Sequence, residues 1–414
     1  MLNSRKASLG FIFATILIDC TGFGIIIPII PKLIEELSGG NIAHASIVGG
    51  WLLFLYAIMQ FVFSPILGGL SDRYGRRPVL LISLLGLGLD YFLLAAAPNI
   101  GWLVVGRLIA GIGGASFTTA GAYIADVSPP EKRAQNFGLI GAAFGVGFII
   151  GPLLGGLFSI YGLRAPFVAA GVLSLLNFIY GLFFVPESLK KENRRTFDWR
   201  RANPLGTFIN LKRYPEIIGL IIGLLILFIA GKTIETIWGY YNILKFNWSP
   251  SEIAYSLAFV GVLVSIVQGG LIRWFIPKFG QTKSIFYGIF FYAIGLICFA
   301  FATESWMMYL FLIPYCLGGL CGPAIQGLIA NQIPDNEQGE IQGVFTALMS
   351  ISAVISPLLM TNLFYHFSKP GARVHFPGAA FALSSVLCCV AAIIIYRNLR
   401  KNGINENKSL KKQG

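Results

Sequence analysis

Asp19, Asp90 and Arg107 are the residues whose types could do chemistry where charge is least welcome. Asp19 lies in "ATILIDCTGFGIIIPII" (residues 14–30), Asp90 in "LLGLGLDYFLLA" (84–95) and Arg107 in "WLVVGRLIAGIGG" (102–114). A charge at the centre of a membrane helix costs roughly 2.5–3.5 kcal/mol on insertion scales, and intramembrane acids mark ion and proton paths. Burial penalises the charged form of a carboxyl, which brings protonation within reach of neutral pH, as a proton carrier requires. The competing reading of Asp19 is a structural hydrogen bond to nearby backbone or to Thr21. Asp90 and Arg107 fall at similar depth on two consecutive apolar segments joined by a short turn, so they can pair and reduce each other's desolvation penalty. Structural pairing and proton coupling are both open to them. Lys232 and Glu235, in "AGKTIETIW", are three residues apart on one helical face. They read either as a self-satisfied pair near the outer membrane surface or as a charged contact for a substrate.

The segments that must position these groups are unusually apolar. Of 414 residues, 56% are hydrophobic and 12% are charged, about half the charge of a soluble chain. Continuous apolar blocks of about 20 residues recur from end to end, each long enough to cross about 30 Å of hydrocarbon. They predict an all-α membrane protein with spans near 8–30, 46–70, 79–97, 101–124, 136–161, 165–185, 215–241, 252–272, 284–302, 305–329, 340–366 and 376–396. A β-barrel would alternate instead. The basic start and the first apolar run could mimic a signal peptide, but the run is long and holds Asp19, so it reads as a retained first span. Lys and Arg concentrate in alternate loops and at both ends, which predicts both termini in the cytoplasm. The net charge of +13 is therefore topological, and no nucleic-acid partner is expected. The six Cys all lie in apolar blocks and the three His are scattered, so neither disulfides nor a metal site are expected.

The chain is internally repeated. A shift of 205 residues lays "IADVSPPEKRAQNFG" (124–138) on "IANQIPDNEQGEIQG" (329–343), Gly113-Gly114 on Gly318-Gly319, Gly75 on Gly280 and Pro152 on Pro357. Two pseudo-repeated six-helix halves are expected: 1–185, a basic linker at 186–214, then 215–396 and a cytoplasmic tail at 397–414 whose stretch "KNGINENKSLKKQG" (401–414) is polar and disordered. Such repeats suggest alternate exposure of a midplane site. The buried charges are not repeated, since Asp19, Asp90 and Arg107 map to Leu224, Gly295 and Leu312.

Two motifs carry more. "GGLSDRYGRRP" (68–78) joins spans two and three, with Gly68 and Gly69 read as allowing close helix approach and Asp72, Arg73, Gly75, Arg76 and Arg77 crowding a short turn. "GVGFIIGPLLGG" (145–156) puts Gly147, Gly151, Pro152, Gly155 and Gly156 in span five, a kinkable and closely packing face. The first resembles the loop motif of the major facilitator superfamily, and the second the antiporter motif of its proton-coupled drug exporters. "LIDCTGFGIIIPIIPKL", "GRLIAGIGGA" and "IQGLIA" narrow the resemblance to the bacterial tetracycline/proton antiporters, over nearly the whole chain.

That resemblance implies a fold of twelve helices and a latch between Asp72 and Arg76. It also implies functional roles for Asp19, Asp90 and Arg107. Substrate-binding candidates are Tyr56 and Gln60 of span two, Lys232 and Glu235, Gln268, Tyr292 and Gln326. Gln268 and Gln326 match polar positions of the family. Tyr292 stands where the tetracycline exporters carry an Asp, and Lys232 and Glu235 stand where they are uncharged. The function implied is export of a small amphipathic drug-like compound, such as tetracycline, in exchange for protons across a bacterial inner membrane. Rival readings are export of a different small molecule or metabolite, and a transport-inactive sensor or scaffold. No resident cofactor is expected. The proton gradient would supply the energy, and a tetracycline-like substrate would carry a divalent cation. No nucleophile triad or phosphate loop occurs in a solvated segment, so an enzyme is not expected.

Overall fold

Apolar sequence without water to satisfy its backbone is forced into helices, which pair every N–H with their own carbonyls. The computed structural model describes residues 2–129, 133–197, 213–334 and 337–403, and among these no strand occurs. Eleven helices are long and apolar enough to cross a membrane, twelve when a bent pair is taken as one span. They match the twelve expected segments. The tail expected from residue 397 is instead helical as far as Asn402, where α16 ends at Gly403 with φ 57°; residues 404–414, and residues 198–212 of the expected linker, lie outside the described residues.

The first span is α1 (Leu2–Ile26) followed by α2 (Ile30–Ser38), bent by 47°. Pro28, without an N–H, lies in the break, and Pro31 lies in the first turn of α2. Next come α3 (Ile42–Tyr74) and α4 (Arg76–Ala95). The fourth span is divided at Ala115 into α5 (Ile100–Gly114) and α6 (Ser116–Val127), and α7 (Arg133–Ser159) and α8 (Ala165–Phe184) follow. After the linker come α9 (Ile218–Phe246), α10 (Pro250–Ile266) and α11 (Ile272–Phe279), the last two joined by a π-helical turn at Val267–Leu271. Then come α12 (Gln281–Phe301), α13 (Ser305–Leu317), α14 (Cys321–Ala330), α15 (Gln338–Ser368) and α16 (Ala379–Asn402).

Contacts group the chain into two compact units, residues 1–204 with 248–261, and residues 205–247 with 262–414. In the first unit α1 packs along α7 and against α8, while α4 packs on α8 and α5. In the second, α9 packs along α15 and α16, while α12 packs on α16 and α13. These pairings are the same under the 205-residue shift. So are the breaks. Gly75 ends α3 at φ 109°, ψ 158°, and Gly280 ends α11 at φ 81°, ψ 163°, backbone that a side chain would strain. The break at Gly113–Ala115 recurs as a 3-10 turn at Gly318–Leu320. The second unit has an aromatic core in which Trp238, Phe299 and Phe381 pack with Tyr241, at ring centroid separations of 5.2 Å for Trp238–Phe299 and 5.0 Å for Tyr241–Phe381.

Candidate functional site

Asp19 lies seven residues before the end of α1, beside the seam with α7. The seam exists because α7 presents glycines there. A methyl group added to Gly151 would lie 2.7 Å from Gly24 Cα, and one on Gly155 would collide with the Ile25 carbonyl. One on Gly147 would lie 2.5 Å from Cys20 Cβ, while Pro152 packs against Gly24. Gly156 faces the other way, toward Ala254 and Ser251 of α10, whose Ser251 hydroxyl donates to the Gly156 carbonyl at 3.3 Å. The antiporter-type motif thus brings two backbones into contact directly after Asp19. Asp19 is half-buried, yet its Oδ1 is closed to solvent and has no hydrogen-bond partner. That oxygen does not make the structural bond to Thr21 or backbone that the competing reading requires.

Asp90 on α4 and Arg107 on α5 are brought together, as their spacing predicts. Arg107 Nη2 is 3.9 Å from Asp90 Oδ2, and both side chains are almost wholly buried. The approach depends on Gly106, where an added methyl group would come within 2.6 Å of Asp90 Oδ1. The pair is loose. Both Asp90 oxygens and Arg107 Nη2 lack a hydrogen bond, so the charges compensate each other through Coulomb attraction alone. Arg107 also lies over the Tyr56 ring, 6.0 Å from its centroid, and Tyr56 stacks on Phe23 of α1 at 6.0 Å. Gln60 donates to the Gly114 carbonyl at 3.2 Å, at the break in the fourth span. Tyr56 and Gln60 therefore line the same helix faces as the buried pair, and Phe23 links that pair toward α1.

The basic turn forms a second cluster. Arg76 pairs with Asp72, and its Nη1 donates to Ser71 Oγ at 2.7 Å. Its Nε donates to Asp126 Oδ2 at 3.2 Å. Glu187 accepts the backbone N–H groups of Arg76 at 2.9 Å and Arg77 at 3.3 Å, an anion at the start of α4 where the helix dipole favours one. Arg77 donates to the Leu182 carbonyl at 2.7 Å. Arg73 instead projects outward over the Tyr74 ring. One expectation is corrected here. A methyl group at Gly68 would meet nothing within 4 Å beyond its own helix backbone, and Gly69 packs on the Phe197 ring of the connecting segment, so this glycine pair does not serve helix approach. The connecting segment is docked at its start. Val185 and Leu189 are buried, and the N–H of Arg195 donates to the Asp72 carbonyl at 3.1 Å.

In the second unit Lys232 and Glu235 form an ion pair at 2.6 Å. Lys232 lies at mid-helix, fourteen residues from either end of α9. Tyr292 and Tyr315 pack together with ring centroids 5.0 Å apart, and Tyr315 donates to the Gly231 carbonyl at 3.3 Å. Gln268 is exposed in the π-helical turn, a deviation that recurs at functional sites. Gln326 is half-buried on α14.

Asp126, Glu187, Tyr315 and Phe23 were not singled out from the sequence. Asp126 and Glu187 each carried a signal, an acid at the end of an apolar block facing a chain rich in Arg. Tyr315 and Phe23 carried none, since an aromatic residue in a membrane span is ordinarily packing.

Among the described residues no group of three or more His, Cys, Asp or Glu could hold a metal ion. The sequence pattern of the Major Facilitator Superfamily matches residues 12–357 and 245–413. The tetracycline resistance protein, class C, of Escherichia coli is 39% identical over 85% of this chain and 88% of its own length. The class E protein of Escherichia coli is 38% identical over 92% of both chains. Among solved structures, the nucleoside transporter NupG superposes with a TM-score of 0.75 over 94% of this chain and 99% of its own, at 13% identity. Up to twelve spans among the described residues, arranged in two repeated halves, the charged turn, the glycine seam and these similarities agree: the chain is a multi-pass membrane protein and belongs to the major facilitator superfamily, a family of transporters rather than enzymes.

Proposed function

We propose that this protein is a proton-coupled exporter of a small amphipathic drug-like compound in a bacterial inner membrane, with both termini in the cytoplasm. The observation that carries the reading is Asp19, a carboxyl with one oxygen neither solvated nor hydrogen-bonded, held against a glycine seam that lets α1 and α7 slide or separate. A proton arriving from outside neutralises the carboxyl, removes its desolvation penalty and favours the state that releases substrate. Asp90 and Arg107 supply a second, loosely bound pair whose balance shifts with that state. Tetracycline is the first compound to test, because the relatives named above confer resistance to it.

The test is proton release on substrate addition to purified protein, comparing wild type with Asp19→Asn and measuring binding in parallel. Asparagine keeps the shape and cannot ionise. Binding with no proton release is the expected result for the variant, and undiminished release removes Asp19 as the carrier. A second reading, export of a different small molecule, is favoured by Lys232, Glu235 and Tyr292, which give the second unit a chemistry unlike that of the tetracycline exporters. A compound panel in the same assay separates the two.

A further inference from the structure

The α9 helix is mostly buried. Between Gly223 and Ile243 its accessible residues are 225, 228, 229, 231, 232, 235 and 239, which form one stripe, and Ile226 beside it; Glu235 is the one exposed residue among them. The Lys232 and Glu235 side chains are 33% and 56% accessible. A half-exposed ion pair at mid-helix cannot face hydrocarbon without a penalty of several kcal/mol, and intramembrane charges almost always face a polar cavity. The stripe is therefore wetted, and a substrate crossing the membrane can reach the pair.

The pair also has a wall. Tyr315 donates to the carbonyl of Gly231, the residue before Lys232, at 3.3 Å. Tyr292 packs so closely on Gly231 that a methyl group there would collide with its hydroxyl. A short ion pair is thus flanked by two packed aromatic rings that both meet the same helix turn at Gly231.

We propose that Lys232, Glu235, Tyr292 and Tyr315 form a subsite for a zwitterionic amphipathic substrate, one that carries a carboxylate and an ammonium on an apolar aromatic frame. The proposal rests on the exporter reading and names its substrate class. The reason is charge balance. A cation binding Glu235 is repelled by an ammonium 2.6 Å from that carboxylate, and an anion binding Lys232 meets the converse. A zwitterion satisfies both charges at once, keeps the local net charge at zero and lays its frame on the two rings.

The experiment uses three fluorescent probes with one dansyl ring and different heads: Nε-dansyl-lysine (zwitterion), dansylcadaverine (cation) and dansyl-6-aminohexanoate (anion). Binding is read by fluorescence on the purified full-length protein in lipid nanodiscs with no proton gradient. Wild type is expected to prefer the zwitterion by about tenfold or more, the scale of one charge-assisted hydrogen bond. Lys232→Gln is expected to shift the preference to the cation, and Glu235→Gln to the anion. Equal affinities, binding of none of the probes, or an order unchanged in both variants overturns the subsite. Because no gradient is present, failure of proton coupling leaves this result standing. Failure here leaves the coupling at Asp19 untouched.

Discussion

Glu187, just past the sixth span, accepts the backbone N–H groups of Arg76 and Arg77, which open the third span. One carboxylate thereby ties the start of the linker to the charged turn, and Gly75 is the residue that leaves room for it. A side chain at Gly75 would meet that carboxylate and would also have to adopt φ 109°.

Removing this tie should cost stability. Glu187→Ala is expected to lower the unfolding free energy by about 1–2 kcal/mol, the scale of a lost helix cap with its dipole term. Arg194→Gln should be close to neutral, because its contact with Glu187 is a half-exposed ion pair at 3.9 Å. Thermal melts in detergent compare the two. A larger loss for Arg194→Gln would show that the ion pair, not the cap, is what matters.

Arg76 has more than one acid, so the latch should separate folding from transport. With Asp72→Asn, Arg76 keeps Asp126 and Ser71, and the chain is expected to fold and insert but to transport several-fold more slowly. Asp72→Asn combined with Asp126→Asn strips the guanidinium of both carboxylates and should also reduce yield. Normal transport by a well-expressed Asp72→Asn variant would remove the latch from the mechanism.

The buried pair predicts a non-additive cycle. Asp90→Asn or Arg107→Gln alone leaves one uncompensated charge in a site with almost no solvent, a change that costs about 3–5 kcal/mol in comparable pairs. The double variant should recover part of that loss, with a coupling of about 1–3 kcal/mol. Strictly additive losses in expression and thermal stability would mean that the two charges, 3.9 Å apart, do not interact.

Glycines of the α7 seam should be unequal. Gly155→Ala and Gly151→Ala place a methyl group against α1 backbone, which cannot rotate away, and each is expected to cost about 1–3 kcal/mol and most of the transport. Gly145→Ala, in the same helix but facing open space, should be neutral within about 0.5 kcal/mol. Equal tolerance at all three positions would show that α1 and α7 do not need this contact.

Tyr214, just before the span formed by α9, gives a pH signature. Its hydroxyl donates to the Glu337 carboxylate, and that bond, with the carboxylate's charge, holds the phenol in its neutral form and raises its pKa above the ordinary 10. The sign follows: the contact is fully present below pH 10 and is lost as pH rises through the raised folded value. A phenolate absorbance titration of wild type minus Tyr214→Phe should show one tyrosine ionising later than an exposed one. A difference curve centred at or below pH 10 would count against the bond.

The apolar spans and their pairing into repeats were already legible in the amino-acid sequence, though not the breaks that divide the fourth and tenth spans. Apolar length leaves a membrane segment no alternative to helix, and one constant shift reproduces Gly75 at Gly280 and Pro152 at Pro357. It also placed Asp90 opposite Arg107, because a short turn between antiparallel helices fixes relative depth. Tertiary structure decided what each glycine is for. A methyl group would meet backbone at Gly155, open space at Gly68 and Phe197 at Gly69, and no local pattern distinguishes them, since the neighbour comes from a distant part of the chain. It likewise decided that Arg76 meets Asp126 and that Glu187 caps α4, contacts 50 and 111 residues apart in sequence. Spacing along one helix showed that Lys232 and Glu235 could meet. The packing of α9 among its neighbours decided that the pair stays accessible, because exposure depends on what the other helices leave uncovered.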